Sequence, residues 1–318
     1  MTSAAHDHHH GHHHGHGHAH SHGHGHGAQA MGRAFAIGVA LNLAYVIGEV
    51  VFGLYAGSLA LLADAAHNFG DVMGLAMAWL ASNLARRAPS ERYTYGLRGS
   101  SILASLANAA LLLLVTGGIA WEAVQRLTAP RPAAGLTIMA VAAVGVAVNG
   151  FCALLFASGR KGDLNVRAAF AHLAADALVA LGVVVAGGLI LITHLAWIDP
   201  VASLAISAVI VISSWSMMRE SLDLALQAVP LGIDRSGVLD YLTGLPGVSE
   251  VHDLHIWGMS TTETALTAHL VRPGAGLDDA LLRGVCEELR TRFSIHHATF
   301  QVEGGDETPC ELAQDGVV

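Results

Sequence analysis

Six runs of about twenty apolar residues limit this chain more than any other feature, because that length is what a helix needs to cross the hydrocarbon core of a bilayer. They are Ala34–Leu54, Leu59–Leu80, Gly99–Ala120, Leu136–Ala157, Ala168–Thr193 and Ile198–Met218. Only 13% of the residues are charged, against about 25% in an average soluble chain. The deficit is local: the tail after Arg219 has ordinary polar composition. The reading is therefore a histidine-rich cytoplasmic arm over 1–32, a six-helix transmembrane domain over 33–218, and a cytoplasmic domain over 219–318.

Short links such as Tyr55-Ala56-Gly57-Ser58 force neighbouring spans to be antiparallel. Basic residues gather on one set of segments: Arg33; Arg86, Arg87, Arg92 and Arg98; Arg160, Lys161 and Arg167; and Arg219. The opposite loops offer Arg126 and Arg131 alone. Basic loops stay cytoplasmic, which places both termini there, as an even number of spans requires. The N-terminus is polar rather than basic and then apolar, so no cleavable signal peptide is expected.

In the tail, Asp234–Leu245 reads as a helix capped by Asp234 and stopped by Pro246-Gly247. Val248–Gly258 and Thr262–Val271 read as strands around a turn, Leu277–Phe293 as a helix, and Ala298–Glu303 as a third strand. This αββαβ order predicts an α+β domain of the ferredoxin-like or metallochaperone-like kind.

The second run contains Asp64-Ala-Ala-His67-Asn-Phe-Gly-Asp71, whose polar positions share one helix face. The fifth repeats half of that pattern as His172-Leu-Ala-Ala-Asp176. Ionisable groups at membrane depth cost several kcal/mol and are read as functional. Two imidazoles and two carboxylates are the four ligands of a tetrahedral Zn²⁺ site, and their charge cancels the ion's. An empty site would hold two negative charges in a low dielectric and would attract protons. Metal and proton would then compete for the same groups, which is the basis of an antiporter.

Several classes lack their residues. There is no HExxH for a metalloenzyme and no Walker motif for ATP drive. No basic run suggests nucleic acid, and no motif suggests an organic cofactor. Cys152, Cys286 and Cys310 lie far apart with no CxxC pair and read as incidental thiols. Of 21 histidines, 13 crowd into His6–His26 among glycines. That composition reads as a disordered metal-gathering arm, with His8, His9, His10, His12, His13 and His14 at its densest part.

The six runs, the two HxxxD pairs and the αββαβ tail together resemble the cation diffusion facilitator family, in its zinc-exporting branch. Ser58-Leu-Ala-Leu-Leu-Ala-Asp64-Ala-Ala-His67 and Val251-His252-Asp253-Leu-His255-Ile-Trp257 carry the likeness locally. The resemblance implies a homodimer in a lipid membrane, of the bacterial plasma (inner) membrane, exporting Zn²⁺ from the cytoplasm against protons. It implies no enzymatic activity. His67, Asp71, His172 and Asp176 would form the transport site. Read from its position one turn before His67, Asp64 is an outer partner that tunes the site or bonds to Asn42 or Glu49 of the first run. Strand neighbours His252, His269 and Glu303 would hold a regulatory zinc, with His255, His296 and His297 as extra candidates. The loop Ala88–Gly96 has no histidine, so the additional metal site some members carry there is expected to be missing. The loop Gly159–Asn165 is short and histidine-free. An exporter of Cd²⁺, Co²⁺ or Ni²⁺, and a non-transporting membrane metal sensor, are the alternatives.

Overall fold

A computed structural model of the chain describes residues 25–85, 87–157, 164–274, 278–305, Cys310 and Leu312. The histidines from His8 to His14, and Arg86, Arg160 and Lys161, lie outside the described residues. Six long helices come first: α1 (Gly25–Ala56), α2 (Leu59–Ala85), α3 (Ser100–Thr128), α4 (Gly135–Ala157), α5 (Leu164–Thr193) and α6 (Ile198–Ala225). Among the described residues, five of them, all but α2, include a stretch long and apolar enough to cross a membrane. α2 is comparably long at 27 residues, but Asp64, His67, Asn68 and Asp71 dilute its apolar character. Outward side chains such as Leu114 and Ile192, 75% and 78% exposed, suit contact with lipid.

Helices α3 and α6 outrun the expected spans, to Thr128 and Ala225 rather than Ala120 and Met218. At 1.5 Å per residue, such helices of 29 and 28 residues reach about 40 Å and so project beyond a hydrocarbon core of about 30 Å. Small residues allow the closest packing: a Cβ on Gly187 of α5 would lie 2.7 Å from the Met139 amide nitrogen of α4. Ala60, Leu61, Ile138, Ala142, Val183 and Ile210 form the core between α2, α4, α5 and α6.

The start of α2 is held from the far end of the sequence. Asp199 of α6 accepts hydrogen bonds from the Ser58 hydroxyl at 2.5 Å and from the Leu59 and Ala60 amides at 2.8 and 3.3 Å. The carboxylate thus satisfies donors that an α-helix leaves unpaired in its first turn.

The tail runs α7 (Arg235–Thr243), β1 (Glu250–Gly258), β2 (Thr264–Val271), α8 (Asp279–Phe293) and β3 (Ile295–Glu303). This is the expected αββαβ order. The sheet order is β1-β2-β3, with β1 antiparallel and β3 parallel to β2. β3 begins three residues before the expected Ala298, because Ser294, at φ 56°, turns the chain from α8 straight into the strand. Val238, Leu242, Ile256, Leu266, Leu270 and Leu289 fill the core between sheet and helices. The β1–β2 turn meets the membrane part at the start of α3. There Arg98 pairs with Glu263, and the Thr261 amide donates to Ser101 Oγ at 3.1 Å.

Candidate metal centres

Four-residue spacing puts His67 and Asp71 on one face of α2, and His172 and Asp176 on one face of α5. The helices bring these faces together so that each histidine meets the other helix's carboxylate. His67 Nε2 lies 3.3 Å from Asp176 Oδ1, and His172 Nε2 lies 3.3 Å from Asp71 Oδ2. His172 Nε2 is also 3.6 Å from Asp176 Oδ2. Tetrahedral bonds of 2.0–2.2 Å separate neighbouring donors by about 3.3–3.5 Å, which these contacts match. Donor atoms of His67, Asp71 and Asp176 all lie within 4.8 Å of one another. His172 stands at the edge of this group, its ring centroid 6.3 Å from that of His67.

A cavity of about 380 Å³ opens beside these residues, lined by Asn42, Asp71, Asn108, Cys152, His172 and Met217 among others. Asp176 is buried at the inner side of the cluster, whereas half of the His172 side chain is exposed. The site therefore joins an enclosed floor to an open vestibule.

Glu49, Asp64 and Asn68 are buried behind His67. Asn68, which the sequence reading passed over, donates to Glu49 Oε2 at 3.1 Å. Asn42 Oδ1 makes no hydrogen bond, and the residue lines the vestibule.

In the tail, antiparallel register sets His252 of β1 opposite His269 of β2, with ring centroids 5.1 Å apart. Parallel pairing sets Glu303 of β3 beside Val271, two residues along from His269 and so on the same face. Glu303 Oε1 lies 3.4 Å from His252 Nε2 and 3.0 Å from His269 Nδ1. Burial acts to raise the Glu303 pKa. Bonds from the Gln301 amide and Cys310, with the charges of His252 and His269, outweigh it and hold the carboxyl below its usual range. A fourth group joins them: Cys310 Sγ is 3.6 Å from His269 Nδ1. Donor atoms of all four lie within 4.8 Å of one another.

Asp253 sits in an irregularity of β1 between His252 and His255, at φ 50°. Its carboxylate meets His255 Nε2 at 2.8 Å and His269 Nε2 at 3.4 Å. His269 is thereby oriented with Nδ1 toward Glu303, as outer carboxylates commonly orient metal-binding imidazoles. His255 turns to Asp253 and stays outside the donor group, and His297 packs on the Tyr95 ring. His296 lies beside Cys286 and Arg290 at the α8 surface instead. Cys310 had no sequence signal, since it lies beyond the last strand with no second cysteine or histidine at ligand spacing.

Residues 35–224 match the cation efflux transmembrane domain, and 230–304 match the cation efflux protein cytoplasmic domain. The zinc transporter ZitB of Pectobacterium atrosepticum is 36% identical over 277 residues, or 85% of this chain and 86% of that protein. The cadmium, cobalt and zinc/H(+)-K(+) antiporter of Bacillus subtilis is 32% identical over 269 residues, or 81% of this chain and 85% of that protein. Among solved structures, the metal-bound C-terminal domain of the CzcD transporter from Cuprividus metallidurans is 33% identical, with a TM-score of 0.21. It covers 22% of this chain and 99% of that one.

Proposed function

Because the chain belongs to the cation efflux family, the cation diffusion facilitators, we propose that it exports Zn²⁺ from the cytoplasm in exchange for protons. The family is one of integral membrane transporters rather than enzymes. The observation that carries the reading is the crossed pairing of His67 with Asp176 and His172 with Asp71, each at 3.3 Å. Two relatives support the choice of cargo and drive by name, one a zinc transporter and one a cadmium, cobalt and zinc antiporter.

In this reading α2 crosses the membrane with the other five long helices, and its polar residues are shielded by them. The histidines bind as neutral imidazoles and the aspartates as carboxylates, so the loaded site carries no net charge. When the ion leaves, two carboxylates remain in a low dielectric, and protons replace the metal. The vestibule beside His172 is the route between site and water. Both termini lie in the cytoplasm of a bacterial cell, where the histidine arm gathers ions. The tail pairs two copies into a homodimer and reads metal through His252, His269 and Glu303. Cadmium or cobalt suit the same N₂O₂ donors, and affinity order alone does not separate them from zinc.

The test is reconstitution in proteoliposomes with an imposed pH gradient, run with Zn²⁺, Cd²⁺, Co²⁺ and Ni²⁺. Gradient-dependent zinc flux is the expected result. Flux that ignores the gradient would remove the proton exchange, and bound metal without flux would make the protein a sensor.

A further inference from the structure

Two histidines and one carboxylate leave one position of a tetrahedral site open. We propose that Cys310 fills it as a thiolate, making the tail centre a closed four-ligand site for a zinc-class ion that ties Cys310 to the sheet. The proposal rests on the reading of His252, His269 and Glu303 as metal ligands, and adds a ligand outside the strands.

Geometry is the first support. Bonds of about 2.0–2.1 Å to nitrogen and 2.3 Å to sulfur at tetrahedral angles separate the two donors by about 3.6 Å. Cys310 Sγ stands 3.6 Å from His269 Nδ1. The carboxylate contacts, 3.0 Å to His269 and 3.4 Å to His252, are near the edge expected for nitrogen and oxygen donors.

A second observation is independent of the cysteine. The His252 side chain is 9% exposed, and neither of its ring nitrogens makes a hydrogen bond. Glu250 stands 3.6 Å from Nδ1 without a hydrogen bond; burying a polar group without one is costly, and ligation by one of those nitrogens would offset part of that cost. Nε2 faces Glu303, in the same donor group as the thiol. The neutral pair of imidazoles, the carboxylate and the thiolate together cancel a charge of two.

Chain path and chemistry agree with this. Gly305, at φ 70°, lies against Pro273 at the end of β3 and lets the backbone leave the strand sharply. Cys310 is then found back over β2, beside His269. Binding displaces the thiol proton to solvent. A soft sulfur ligand favours zinc-class ions over the harder Mg²⁺ and Mn²⁺, a preference that two imidazoles and a carboxylate would enforce less.

The full chain, loaded with Co²⁺ in place of Zn²⁺, should show a near-ultraviolet thiolate-to-cobalt charge-transfer band. Cys310→Ser should remove the band and weaken the tail site about 100-fold, whereas Cys286→Ser should leave it. The histidine arm binds cobalt too, but without sulfur. A second measurement needs no variant: zinc should slow alkylation of Cys310 at least tenfold, read by peptide mass spectrometry against exposed Cys286 in the same molecule. His252→Asn should abolish that protection. Cobalt absorption that depends on His252 but lacks the thiolate band, with Cys310 alkylated equally with and without zinc, overturns the proposal and leaves a three-ligand site. Absorption and alkylation that both ignore His252 overturn the tail site itself.

Discussion

Asp199→Ala tests the contact that ties the start of α2, and hence His67 and Asp71, to α6. The wild-type carboxylate is 1% exposed and accepts from one hydroxyl and two backbone amides. Alanine leaves the Leu59 and Ala60 amides without a partner, while the Leu61 amide keeps Ser58 Oγ at 3.2 Å. Three lost bonds at about 1 kcal/mol each, and about 1 kcal/mol for a charge removed from a helix N-terminus, give a loss of about 4 kcal/mol. At about 2.1 cal/mol/K of unfolding entropy per residue, each kcal/mol moves the midpoint of this 318-residue chain by about 1.5 °C, so the expected shift is roughly 6 °C. Asp199→Asn keeps one acceptor but turns an amide N–H₂ toward a donor, and should recover about half the loss.

The assay is thermal unfolding of purified protein in detergent at one fixed scan rate, because membrane proteins commonly unfold irreversibly. Zinc affinity at the His67 cluster, measured well below the midpoint, should be unchanged, since Asp199 touches the helix start and not the ligands. A midpoint within about 2 °C of wild type would refute the clamp. A lower midpoint with Asp199→Asn as damaging as Asp199→Ala would show that charge, rather than hydrogen bonding, carries the effect.

Other outcomes follow from the two centres. Asp176→Ala should abolish zinc flux in proteoliposomes while the protein stays folded and dimeric, because it removes the carboxylate that meets both histidines. Deleting residues 1–27 should preserve flux and lower the zinc bound per chain, measured by elemental analysis. In that shortened chain, zinc affinity should fall as pH drops, because protons compete with the metal for the imidazoles and carboxylates, and calorimetry in buffers of differing ionisation heat should report proton release. Glu303 has a depressed pKa in the fold, so it stabilises the metal-free tail above its unfolded value of about 4.3, and this contribution disappears as pH falls further. Hydrogen exchange in β2 and β3 should show that acid loss in wild type and less of it in Glu303→Gln.

Local repetition made the helices and both His–Asp pairs legible, because spacing along one helix decides which side chains share a face. The same holds for the strand order of the tail, where alternation and turn residues act over a few positions. What spacing leaves open is which faces meet. His67 answers to Asp176 rather than to Asp71 of its own helix, and that choice depends on how α2 and α5 pack. The Asp199 clamp spans 140 residues, and nothing near Asp199 in the chain announces its partners. Cys310 is harder still, since it joins the tail cluster from outside any strand.

α2 shows why the polar exception is the informative part of an apolar sequence. Among the described residues, the other five long helices hold a stretch apolar enough to cross a membrane and α2 does not. If α2 spans the bilayer as proposed, Asp64, His67, Asn68 and Asp71 give it no stability in lipid, and its packing against α1, α3 and α6 is what shields them. Glu49 on α1 and Asp176 on α5 then supply contacts that α2 could not make alone. In the proposed export reading, the residues that weaken α2 as an independent span are the ones its neighbours complete, so local consistency breaks where the proposed metal chemistry requires it.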